Sequence, residues 1–197
     1  MRRHSFFVPF VSAVLLLAGL YTSCDASDFS RAPGTARQSI AGAWQMHTYD
    51  FHFMGLTAVY TCSGLVDKLE DLLNQLEARD VQITPICALG RYTPDRLAQA
   101  RVHFSSLIPS GTAGPDSGPG AAGLWKPIRW APRHPYALED GDCELMQEFR
   151  AKILPMFATR KLRAQLDCVP HQDTGAYAFG FDVFVPASTA KSGIWAR

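Results

Sequence analysis

The chain has 197 residues, enough for one medium-sized domain or two small ones. Nineteen Lys and Arg residues nearly balance 18 Asp and Glu residues, which argues against a nucleic-acid-binding protein, because that class normally carries a clear basic excess. Hydrophobic residues make up 47% and aromatic residues 11% of the chain, so the composition excludes a disordered acidic protein and predicts a packed core.

The first 26 residues have the layout of a secretory signal peptide. A basic start precedes an apolar run over 6–20, and small residues then lead to Ala26. The run is shorter than the roughly 20 residues that span a bilayer, although an uncleaved segment would act as a membrane anchor. Two processing routes stay open: cleavage after Ala26 would give an exported chain, and Cys24 would be the lipidated residue of a bacterial lipoprotein.

Cleavage after Ala26 would leave 17 basic and 17 acidic residues and an even number of cysteines. The four that remain are Cys62, Cys87, Cys143 and Cys168. An even number of cysteines in an exported protein predicts two disulfides.

The cysteine spacing indicates an internal duplication. Cys62 and Cys87 are 25 positions apart, and so are Cys143 and Cys168. After the first cysteine of each pair, apolar residues recur with helical period, and a stretch of alternating apolar and polar residues leads to the second cysteine. The pattern therefore predicts strand, helix, strand and strand, twice over.

The remaining strands are expected on both sides of these segments. Residues 51–61 and 124–130 precede the two helices, and residues 101–108 and 177–185 close the two halves. The 124–130 candidate is the weaker of the first pair, because Pro127 interrupts it and would suit an edge strand.

These patterns predict an α+β fold in which two β-α-β-β pseudo-repeats form a sheet with two helices packed on one face, stapled by two disulfides. Two independent domains are the alternative. The expected segments are a signal peptide at 1–26, a flexible segment at 27–42, the first half at 43–108, a flexible Gly/Pro/Ser-rich loop at 109–123, the second half at 124–186 and a tail at 187–197.

Four cysteines allow three pairings. A strand–helix–strand crossover is expected to bring two parallel strands side by side, about 4.8 Å apart, which suits a disulfide between their ends. This geometry favours Cys62–Cys87 and Cys143–Cys168. A zinc site would need close ligand pairs such as C-x-x-C, which the sequence lacks.

Several clusters carry chemically useful side chains, and each also has a structural interpretation. Met46, His47, His52 and Met54 supply imidazole and thioether groups, which can act as copper ligands. On a strand, however, His47 and His52 would point to opposite faces. Carboxylates occur at Glu139, Asp140, Asp142 and Glu144, without the spacing of an EF-hand. We expect Asp142 to cap the following helix instead.

Two short patterns resemble nucleophile motifs. Ser188 and Lys191 match S-x-x-K, but in a segment that we expect to be a loose tail. Cys168 and His171 are three positions apart, but a cysteine nucleophile must be free and export favours its oxidation.

Basic and aromatic residues offer candidate contact surfaces. The basic stretch contains Arg160, Lys161 and Arg163, which could meet anionic lipid or glycan, or simply form a polar strand face. The aromatic side chains near the predicted loop and the C-terminal end are Trp125, Trp130, Tyr136 and Trp195, which could anchor a partner or close over the core.

The sequence therefore favours an exported, periplasmic or secreted, non-catalytic binding module of the bacterial envelope. Its partner would be another envelope protein or a polymer, with no cofactor, metal or nucleic acid, and a membrane would be involved only if Cys24 is lipidated. The alternatives are an envelope lipoprotein and an enzyme assembled from scattered groups, with His103, His171 and the acidic cluster as the suspects.

Overall fold

The computed structural model describes residues 39–88, 90–114, 117–169 and 176–187. The signal-like segment, Cys24, His171, Ser188, Lys191 and Trp195 lie outside these residues. Six strands and two α-helices follow one another as β1 (Ile40–His52), α1 (Cys62–Gln75), β2 (Arg79–Ile86), β3 (Gln99–Pro109), β4 (Gly120–Trp130), α2 (Cys143–Lys152), β5 (Thr159–Asp167) and β6 (Ala176–Pro186).

The strands form one antiparallel sheet in the order β2-β3-β1-β4-β6-β5. Each half contributes three neighbouring strands, and the first strands of the two halves pair at the centre. This confirms the predicted α+β fold with its duplicated β-α-β-β order.

One face of the sheet carries the helices and the main core. The buried stripe of α1 and that of α2 pack with side chains of β1, β3, β4 and β6 in a single hydrophobic cluster, which includes Leu69, Phe104, Phe149, Phe181 and Val183. Residues of both halves share this cluster, so neither half buries its helix alone. We call the other face of the sheet the open face, because neither α-helix of the described residues covers it.

The halves meet over a short seam. β1 and β4 pair only from Ile40–Gly123 to Ala43–Gly120, after which the two strands diverge. On the open face, the ring of Phe184 packs over this seam, and a Cβ added at Gly42 would lie 2.8 Å from that ring. The seam therefore needs small residues.

This seam explains two differences from the predicted boundaries. β1 begins at Ile40 and β4 at Gly120, inside the segments 27–42 and 109–123 that were predicted to be flexible. Their Gly and Ala content resembles that of a linker, but small residues are what the ring of Phe184 requires here.

The strand predicted over 51–61 was placed too late, because β1 ends at His52 and a loop follows. β4 is a central strand rather than an edge strand. Pro127 is tolerated because β4 has diverged from β1 beyond Gly123 and pairs there only with β6.

The two disulfides are Cys62–Cys87 and Cys143–Cys168, with Cα atoms 6.0 and 5.5 Å apart, which confirms the predicted pairing. The expectation that two adjacent parallel strands would bring the cysteines together was wrong. β1 and β2 are not neighbours, because β3 lies between them, and β6 likewise separates β4 from β5. Each bridge instead joins the first residue of a helix to the residue that directly follows an edge strand.

Replacing both members of one bridge by Ala should lower the free energy of unfolding by about 3 kcal/mol, because the unfolded chain regains the entropy of an open loop. Urea unfolding of Cys62→Ala/Cys87→Ala measures this loss. The mixed pair Cys62→Ala/Cys143→Ala is the control: it should expose two free thiols, whereas the first variant should expose none. Two free thiols in the first variant would contradict the pairing.

A second prediction concerns the seam. Gly123→Ala should lower the free energy of unfolding by about 1–3 kcal/mol, because the new methyl group meets the ring of Phe184 and lies 2.9 Å from Leu107. Thermal unfolding checks this. Gly111→Ala is the matched control, since a Cβ there meets nothing within 4 Å. Adding Phe184→Leu to Gly123→Ala should recover part of the loss, and a neutral Gly123→Ala would contradict the packing.

Candidate functional site

The predicted acidic cluster lies between the two halves and serves the structure. Asp142 is at the N-cap position of α2, but its side chain makes no capping bond to that helix. It is buried, and it accepts hydrogen bonds from the Tyr60 hydroxyl and from Lys68 Nζ, the latter at 2.7 Å. Glu144 accepts bonds from the backbone N–H groups of Thr57 and Ala58. The expected capping role of Asp142 is therefore corrected to a link between the halves.

Lys68 compensates the buried charge of Asp142, since only 14% of the lysine side chain and 2% of the aspartate side chain are exposed. Nζ also donates to the carbonyl oxygen of Ala137 at 3.0 Å. Losing either partner would leave an unpaired charge in the interior, which is costly.

Two tyrosines border this cluster. Burial, and next the charge of Asp142, raise the pKa of Tyr60 well above its usual range, and the same two causes raise the pKa of Tyr177. Tyr177 donates to the carbonyl oxygen of Glu139 at 2.9 Å. Both hydroxyl groups thus remain protonated donors in the folded protein.

The raised pKa of Tyr60 predicts a loss of stability in alkali. Above pH 10, the ordinary pKa of tyrosine, the unfolded chain releases a proton that the folded chain keeps. The free energy of unfolding should then fall by up to about 1.4 kcal/mol per pH unit for this group. Urea unfolding between pH 8 and 11 measures the slope.

Tyr60→Phe should make this slope shallower. Tyr136→Phe, at a side chain that is 93% exposed, is the matched control and should leave it unchanged. Equal slopes for Tyr60→Phe and the unaltered protein would contradict the assignment.

The proposed histidine–methionine cluster is divided between the two faces of β1. His47 lies on the helix side, where its ring is 5.1 Å from that of Phe104, and Nε2 is 2.9 Å from the hydroxyl of Ser106. Met46 lies on the open face and is exposed. Among the residues that the structure describes, no three His, Cys, Asp or Glu side chains are grouped so that they could hold a metal ion.

His47 and Ser106 form a serine–histidine pair that sequence inspection missed, because 59 positions separate them. The Ser106 hydroxyl donates its proton to the Met156 carbonyl oxygen at 2.7 Å, so His47 must be the donor in the bond to Ser106. An activated nucleophile would require the opposite direction, with serine donating to histidine. Ser106 is also fully buried. The pair therefore anchors the segment after α2, and burial lowers the pKa of His47.

The predicted basic stretch contributes to the open face. In β5 the register shifts between Arg160 and Arg163, and Lys161 adopts a positive φ of 56°. The extra residue in this bulge places Arg160 and Arg163 on the same face, although simple alternation would have separated them. β2 has the same irregularity, with Asp80 at φ 54°.

Two tryptophans flank the seam on the open face, each beneath an arginine. The guanidinium carbon of Arg79 lies 4.2 Å from the ring centre of Trp44, and that of Arg160 lies 4.4 Å from the ring centre of Trp125. These two pairs occupy matching positions relative to the first cysteine of each half. Trp125 packs against a small apolar cluster formed by Trp44, Leu107 and Phe184. Trp130 is instead buried in the main core, and Tyr136 is exposed.

The two halves differ at one row across the open face. In the first half, Thr48, His103 and Gln82 stand side by side on β1, β3 and β2, and the Thr48 hydroxyl bonds to His103 Nδ1 at 2.9 Å. The bonded Thr48 and His103 side chains occupy the space along this row. His103, one of the suspected catalytic groups, therefore lies on the face opposite the acidic cluster.

In the second half the corresponding row is Arg129, Gly180 and Arg163, on β4, β6 and β5. The glycine leaves open the space between two arginines. The result is a cavity of about 520 Å³, which we call the arginine cleft. Its other lining residues include Ala131, Gln165 and Ala178.

The cations of the arginine cleft have no counter-charge among the residues that the structure describes. Neither Arg129 nor Arg163 forms an ion pair with any residue that the structure describes, and both are exposed. The carboxylate on the next row, Asp182, is already held by Arg160 at 3.0 Å and by Lys161 at 3.2 Å. Those two cations hold the pKa of Asp182 below its usual range.

Comparisons of the chain with protein-family models, with curated proteins and with solved structures find no match. Within the described residues, neither helix is long and apolar enough to cross a membrane. The function of the candidate site is therefore inferred from its geometry.

Proposed function

We propose that the protein is an exported, non-catalytic binding module of the bacterial envelope that recognises its partner through the open face of the sheet. The observation that carries the proposal is the arginine cleft, in which two exposed arginines line a cavity and have no ion-pair partner in the described part of the chain. Surface charge that is left uncompensated beside a concave site is suited to attracting a partner of opposite charge.

Export is supported by two features of different kinds. The two disulfides are typical of proteins that fold in oxidising compartments. The first 26 residues have the arrangement of a signal peptide. The envelope lipoprotein alternative depends on Cys24 alone, and Cys24→Ser would release the protein from membranes if that alternative holds.

The arrangement of the suspected catalytic groups favours binding over an enzyme. His103 bonds to Thr48 on the open face, whereas Asp142 and Glu144 form bonds between the halves on the helix side. The sheet lies between these two groups, so they share no cavity in which one substrate could contact both.

Photo-cross-linking in the native host tests the proposal. A photoactivatable residue at Ala178, in the arginine cleft, should capture a partner in the envelope fraction. The same residue at Gln147, exposed on α2, is the matched control and should capture none. Equal capture at both positions, or capture at Gln147 only, would contradict recognition through the open face. The mass of the cross-linked chain also shows whether cleavage occurs after Ala26.

A further inference from the structure

From the chemistry of the arginine cleft, we infer that it binds an acidic saccharide, with a sugar carboxylate held between Arg129 and Arg163 above Gly180. This inference rests on the proposed function and names its ligand. It also goes beyond charge attraction. The ligand is restricted by the walls of the cleft, which are Arg129 and Arg163, by its floor, which is Gly180 and Ala178, and by its volume.

The walls suit an anion with two accessible oxygens. Arg129 and Arg163 stand two strands apart in the same row, so their Cα atoms are about 10 Å apart. Both side chains are long enough to turn their guanidinium groups toward the space above Gly180. A planar carboxylate can then accept hydrogen bonds from one guanidinium group at each oxygen.

The floor disfavours a tetrahedral oxyanion. Gly180 lies on β6, which is hydrogen-bonded to β4 on one side and to β5 on the other. Gly180 pairs with Arg129 and Arg163, so we expect its backbone N–H to be engaged in the sheet rather than free to donate to a ligand. The additional oxygens of phosphate or sulfate would face this floor and lose water without gaining a donor.

The same floor disfavours a peptide. A polypeptide laid across Gly180 and Ala178 would bring its own N–H and C=O groups over a sheet whose backbone groups are already paired. A sugar ring carries no such obligatory groups on the face that it turns to the floor. Its hydroxyl groups can stay in water at the open side of the cleft, or contact Gln165 at the rim.

The volume leaves room for an organic ligand that is larger than a free ion. A cavity of about 520 Å³ is far larger than a single carboxylate, and it suits a body of one or two sugar rings. Gly180 supplies this space, because a Cβ built there meets nothing within 4 Å. The corresponding position of the first half holds His103, bonded to Thr48.

Isothermal titration of the processed protein with digalacturonate, a disaccharide with two carboxylates, tests the inference. Binding should weaken as NaCl rises from 50 to 300 mM, because the arginines are exposed. Arg129→Gln and Arg163→Gln should each lower the affinity about tenfold or more, since each removes a charge-assisted hydrogen bond. Arg150→Gln, which removes an equal charge from exposed α2, is the matched control and should leave the affinity unchanged.

Gly180→Val separates loss of the cleft from loss of the fold. The new side chain enters open space, so thermal stability should be kept or slightly raised, while digalacturonate binding should be lost. Undiminished binding by Gly180→Val would overturn the inference, and so would the absence of digalacturonate binding to the unaltered protein.

Three further probes decide the ligand class. Equal affinity for the neutral disaccharide galactobiose would show that charge plays no part, and it would overturn the inference. Equal or tighter binding of inorganic phosphate would reduce the cleft to a general anion site, and equal or tighter binding of the dipeptide Glu–Glu would replace the saccharide by an acidic peptide. Capture of a partner at Ala178 without digalacturonate binding would reject this inference while keeping the proposed function.

Discussion

The structure depends on the four-residue seam at which β1 meets β4. Among the described strands the two halves pair only there, and Gly42 and Gly123 leave room at the seam for the ring of Phe184. Without it, each half would present three strands and one helix, with too little apolar surface to form a stable core. The seam makes one sheet of two halves, and the shared sheet allows both helices to bury their stripes in a single cluster.

The two faces of the sheet carry different kinds of side-chain contact. On the helix side, several ionisable groups join the halves: Lys68 and Tyr60 contact Asp142, and Lys126 contacts Glu77 at 2.7 Å. Side chains that are bonded to one another in this way are not free to contact a ligand. On the open face, the second half has two arginines that form no ion pair with any described residue. The row is closed in the first half, at His103, and open in the second half, at Gly180.

Much of the local structure was predictable, because periodicity and spacing are properties of neighbouring residues. The two helices, the closing strands, the repeated order of elements and the cysteine pairing all followed from such patterns. The central strands were harder to predict. The sequence of β4 starts like a linker and contains Pro127, and only its pairing with β1 and β6 reveals why both features are tolerated. The aspartate expected to cap α2 was misinterpreted, because Tyr60 and Lys68 are distant in sequence.

The sequence by itself determined the composition of the core, the repeated order of elements and the two disulfides, since these depend on apolar period and on cysteine spacing. The arginine cleft was decided by the tertiary structure alone. Arg163 was recognised only as part of a basic stretch, and Arg129 and Gly180 carried no signal. They become neighbours because a bulge in β5 and the register of three strands align them, and register is set by long-range pairing rather than by local sequence.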